Sequence, residues 1–95
     1  MEPIKLSAEQ KEKLLEMCNK LFPKEGIWFK ILDGDIYYSK NGKFPGFKIH
    51  WFEFCYEHLL SRLNLSIYRY TRFKQEMGNI HIIDYLYEEF KKLKL

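Results

Sequence analysis

Apolar positions along this chain change period twice, from helical to alternating and back. Between Ser7 and Phe22 they recur at helical spacing, with Leu14, Leu15, Cys18, Leu21 and Phe22 on one stripe. Ser7 and Gln10 have the spacing of a capping box, and Glu9–Lys13 and Glu16–Lys20 are i,i+4 pairs in the favourable order. Pro23 and then Gly26 stop the element. These signals predict an N-terminal helix with a solvated charged side.

Over 27–49 the pattern becomes that of strands. Ile27–Leu32 is rich in β-formers, Asp33-Gly34 is a two-residue hairpin turn, Asp35–Lys40 follows, Asn41-Gly42 is a second turn signal, and Lys43–Ile49 runs back. With two-residue loops, Ile31 faces Ile36 and Phe29 faces Tyr38. On the next pair of strands Ile36 faces Phe47, Tyr38 faces Pro45 and Asp35 faces Lys48. Ile27, Phe29, Ile31, Ile36, Tyr38, Phe47 and Ile49 then share one face. Pro45-Gly46 marks the third strand as an edge or a bulged strand.

From His50 to Leu63 helical spacing returns, placing Trp51, Phe52, Cys55, Tyr56, Leu59, Leu60 and Leu63 on one side. Residues 66–77 are ambiguous between helix and strand. Ser66 as N-cap, Gly78 as a stop and the spacing of Ile67, Tyr70, Phe73 and Met77 tip the balance to helix. A last helix over about 80–94 turns Ile82, Ile83, Leu86, Phe90 and Leu93 inward, pairs Glu88 with Lys92, and has Asn79 or Asp84 as its cap. The expected fold is α+β: a three-stranded antiparallel β-meander (about 27–49) with an N-terminal helix and two or three C-terminal helices.

Length and composition add limits. Ninety-five residues is the size of one compact domain, here 1–95 with residues 1–6 as an N-terminal tail. Apolar residues at 46% and charged residues at 31% are globular proportions, and 18% aromatics are more rings than so small a core holds. Some rings should therefore lie at the surface. The net charge of +3 is concentrated in 26–50, with four Lys against two Asp, and in 67–78, with two Arg and one Lys against one Glu. That is well short of a strongly basic DNA binder. Cys18 and Cys55 have no motif spacing, and no apolar run has the length of a leader or a membrane span. A reducing, cytoplasmic setting and no membrane partner are expected. Abundant Lys, Ile, Phe, Tyr and Asn also suit an AT-rich genome, including that of a virus with small accessory proteins.

Chemistry-bearing patterns are few. Cys55 and His58, at i,i+3, form half a metal site, but Cys18, His50 and His81 supply no second pair, and Cys55 lies in an apolar stripe. Glu53 and Glu57 share a helix face without a reason for their acidities to separate. There is no phosphate loop and no nucleophile elbow. The expectation is no enzyme, no metal and no cofactor.

Binding surfaces are better marked. The second face of the meander presents Trp28, Lys30, Leu32, Tyr37, Phe44 and Lys48, unless a helix covers it. In the register above, Trp28, Ser39 and Phe44 form one row and Lys30, Tyr37 and Gly46 the next. Phe54 and His58 form a secondary patch on the helix from His50, suited to a further contact or a homo-oligomer. Arg62, Arg69 and Arg72 fall within eleven residues and could meet an anion or nucleic acid, or pair with Glu76 and other surface acids. The sequence thus points to a protein-interaction module (a small inhibitor, adaptor or assembly subunit) using Trp28, Lys30, Tyr37, Phe44 and Lys48. Its alternative is a nucleic-acid-binding protein using the same face or the Arg62–Arg72 segment.

Overall fold

A computed structural model describes residues 5–22 and 26–93. They form two compact units, one spanning Ser7–Ile49 and one drawn chiefly from residues 50–93. Together they make an α+β fold with a three-stranded antiparallel sheet, an N-terminal helix and C-terminal helices, as the sequence pattern requires. No helix of the described residues is long and apolar enough to cross a membrane.

The first unit opens with α1 (Ala8–Leu21). The Gln10 N–H donates to Ser7 Oγ at 3.1 Å, and Gln10 Oε1 accepts from the Ser7 N–H at 3.0 Å, so the capping box is complete. Leu14, Met17 and Cys18 are fully buried, whereas Leu15 is half-buried; the stripe is centred one position away from the expected one. Glu9 and Lys13 pair at 3.6 Å on the outside. The expected stop at Pro23 lies outside the described residues.

Strands β1 (Trp28–Leu32) and β2 (Asp35–Ser39) pair in the expected register, Phe29 opposite Tyr38 and Ile31 opposite Ile36. The turn between them has positive φ at both central residues, 51° at Asp33 and 82° at Gly34, which a type I′ hairpin demands. α1 packs on the face carrying Phe29, where the Phe22 and Phe29 ring centroids are 5.7 Å apart.

The second turn departs from expectation. Strand β3 is only Phe47–Lys48, and it pairs Tyr37 with Lys48 and Tyr38 with Phe47. The expected partners, Pro45 for Tyr38, Phe47 for Ile36 and Lys48 for Asp35, are each displaced by two residues. The cause lies at Asn41. Gly42 has φ 77°, but Asn41 is not among the residues with positive φ, so a two-residue I′ turn cannot form. The Asn41 side chain is committed elsewhere: its Oδ1 accepts from Ser39 Oγ at 2.7 Å and from the Lys43 N–H at 3.0 Å. This widens the loop, and pairing resumes only after Gly46. Because side chains alternate with period two, a two-residue slip leaves every face assignment intact. Phe29, Tyr38 and Phe47 make one aromatic row, with centroid spacings of 6.2 and 5.5 Å. Phe47, at the sheet edge, nevertheless stays exposed, although it shares the face on which Phe29 and Ile36 are buried.

The second unit begins with a continuous helical run, α2 (Trp51–Phe54), a π-helical turn (Cys55–Leu59) and α3 (Leu60–Arg62). Cys55, Leu59, Leu60 and Leu63 are buried, while Tyr56, expected on the same side, is exposed and meets the ring of Tyr70 at 6.3 Å. The run ends in a Schellman motif. The Leu65 N–H donates to the Leu60 carbonyl, the Asn64 N–H to that of Ser61, and Asn64 takes φ 56°.

Residues 67–77 are helical: α4 (Ile67–Met77) is capped by Ser66 Oγ, which accepts from the Arg69 N–H at 3.1 Å, and ends at Gly78 with φ 87°. Asn79–His81 form a 3₁₀ turn leading into α5 (Ile82–Lys91), so neither Asn79 nor Asp84 is its N-cap; His81 holds that position without a side-chain bond. Ile82, Ile83, Leu86 and Phe90 are buried, and Phe73 stacks on Tyr85 at 4.0 Å and 9°. Lys92 pairs with Glu89, and Glu88 with Lys91, in place of the expected Glu88–Lys92 pair.

Candidate functional site

With α1 on the Phe29 face, the other face of the meander carries Trp28, Lys30, Tyr37 and Lys48. Trp28 is 50% exposed, Lys30 and Lys48 are exposed, and Tyr37 and Phe44 are half-buried. The slipped register rearranges the rows. Lys30, Tyr37 and Lys48 now stand side by side on three strands, so a tyrosine is flanked by two lysines. Trp28 lies opposite Ser39, and Gly46 presses so closely on the Tyr38–Ser39 backbone that only a residue without a side chain fits there. Phe44 belongs to no strand. Its ring lies 5.1 Å from Lys30 Nζ, near enough for a cation–π contact, so the β2–β3 loop lies against the outer face.

Charge is distributed unevenly along this unit. The turn end holds Asp33 and Asp35, and Asp35 binds Lys48 at 3.5 Å. The Trp28–Ser39 end leads directly into Lys40 and Lys43. These two lysines line a shallow cleft of about 330 Å³ with Ser39, Pro45 and Phe47. Among the described residues no carboxylate lies within ion-pair distance of Lys30, Lys40 or Lys43. Sequence patterning missed Lys40, Lys43 and Phe47 as surface components, because it drew a strand from 43 where a loop around a cleft runs to Gly46 and the strand is only Phe47–Lys48.

The other nominated residues lie in the second unit. Phe54 and His58 do meet, with ring centroids 5.3 Å apart; Phe54 is half-buried, and the exposed His58 lies 3.9 Å from Glu57. Arg69 and Arg72 are matched by acids. Arg69 donates to Glu89 at 2.7 Å, and Arg72 donates to Glu76 at 3.0 Å. The guanidinium of Arg72 is held protonated to still higher pH by that bond and by Tyr68. Arg62 is exposed on α3. Arg69 and Arg72 thus each hold a carboxylate on the guanidinium.

Two titratable groups of the second unit, Cys55 and Tyr70, are buried. Cys55 is fully buried, and desolvation pushes its thiol far up, which leaves it protonated rather than a nucleophilic thiolate. Tyr70, 1% exposed, has a phenol raised in the same direction, first by burial and then by Cys55 and Tyr56. Its hydroxyl has no hydrogen-bond partner among the described residues. Those residues contain no group of three or more His, Cys, Asp or Glu placed to hold a metal ion. No known protein family, curated protein or solved structure matches this chain.

Proposed function

We propose that this chain is a non-catalytic protein-interaction module that docks a protein partner on the outer face of its meander. The observation that carries this reading is the half-exposed Trp28 on a sheet face, beside the Lys30–Tyr37–Lys48 row and the Phe44 ring. A large ring bordered by charged groups has the composition of an interface anchor with a polar rim. The protonated Cys55 and the paired arginines add no competing chemistry.

The same features weigh against single-stranded nucleic acid. That ligand favours several open rings in succession, and here Tyr37 and Phe44 are half-buried beside one exposed Trp28. A photo-reactive benzoylphenylalanine in place of Trp28 tests the reading in cell extract. Cross-links to a discrete protein, abolished by Phe44→Ala with the fold retained, are expected. Cross-links to nucleic acid instead, with a gel shift that weakens steeply as salt rises, would move the function to the alternative class.

A further inference from the structure

One end of the sheet holds both an exposed ring and lysines: Trp28 pairs with Ser39, and Ser39 lines the cleft with Lys40 and Lys43. The acids of this unit's sheet, Asp33 and Asp35, lie at the opposite end, and Asp35 is already occupied by Lys48. Residues 26–50 hold four Lys and two Asp, a net charge of +2.

We propose that the partner is an acidic protein segment docked at this end of the sheet. Its carboxylates pair with Lys30, Lys40 and Lys43, and one of its apolar side chains covers Trp28. This rests on the docking reading above and names the chemical class of the partner. Charge complementarity favours this partner: lysines with no carboxylate in ion-pair range among the described residues gain most from a partner that brings one, and complementary potentials set partner choice more than raw affinity. The exposed Phe47, 66% open, and Pro45 add apolar surface to the lining of the cleft beside Lys40 and Lys43. An acidic segment with interspersed aromatic or aliphatic residues suits that lining.

The test uses the full chain with Trp51→Phe, which makes Trp28 the sole tryptophan reporter. A random copolymer of glutamate and tyrosine is titrated while Trp28 emission is followed, and oligodeoxythymidylate of equal charge is titrated in parallel. Saturable binding of the copolymer is expected, weakened at least ten-fold by Lys40→Glu/Lys43→Glu and also by Lys30→Glu. Reversing Lys91 and Lys92, which pair with Glu88 and Glu89 at the end of α5, should leave it unchanged. Circular dichroism confirms folding, and milder Lys→Gln versions should give intermediate losses. A silent copolymer, equal sensitivity to the α5 reversals, or tighter binding of the oligonucleotide overturns the assignment. Should the Trp28 cross-link still find a protein while the copolymer is silent, the docking face stands and only its acidic partner falls.

Discussion

Lys48 and Asp35 form an ion pair at 3.5 Å across a diagonal of the β2–β3 ladder, not across a direct rung. Lys48 stands opposite Tyr37, and the long lysine side chain spans the offset. The pair foreseen from the sequence therefore exists although the register that suggested it does not. Both partners are about half exposed, so Asp35→Asn should cost no more than about 0.5 kcal/mol in denaturant unfolding. A larger loss would mean that Asp35 also holds the β3 register.

Gly46→Ala should be far more damaging. Its Cβ would overlap the Tyr38 carbonyl and crowd the Ser39 Cα, both backbone, so no side chain can rotate away. A destabilisation of about 1–3 kcal/mol is expected for such overpacking. Amide exchange would locate it, because the Ile49 N–H that donates to the Ile36 carbonyl at 2.8 Å should lose protection while the β1–β2 ladder keeps it.

Tyr70→Phe should stabilise the chain. The mutation removes a buried hydroxyl that has no partner and keeps the ring against Tyr56 and below Lys74. Leaving such a group unsatisfied costs about 1–3 kcal/mol, so a gain near 1 kcal/mol in thermal or urea unfolding is expected. Destabilisation would show that the hydroxyl is bonded in solution.

Alkaline pH should unfold the protein earlier than its surface charges require. Burial raises the Cys55 thiol well above its ordinary value near 9, and the Tyr70 phenol above 10. The unfolded chain then releases these protons first. Their contribution is complete below pH 9 and is lost as pH climbs, at up to about 1.4 kcal/mol per pH unit for each group. Cys55→Ala should flatten the stability curve between pH 9 and 10, whatever it costs at neutral pH. An unchanged slope would exclude Cys55 as the source.

The chain's local signals were sufficient wherever one residue type can do a job alone. The Ser7–Gln10 capping box, the Asp33-Gly34 turn, Ser66 as a cap and Gly78 as a stop all act within a few residues, and each appears as read. Alternation likewise placed Trp28, Lys30, Tyr37 and Lys48 on one face, and it survived an error in register because a slip of two restores the same side. Tertiary structure decided what depends on competition and on neighbours. Asn41 could have made a tight turn, but its side chain instead binds Ser39 and Lys43, opening the loop that forms the cleft. Arg69 and Glu89 lie twenty residues apart, so their pairing has no local signature. Exposure is also collective. Phe47 and Trp28 are both aromatic and both on strands, and only the sheet's edges and the seat of α1 leave these two rings open while burying Phe29.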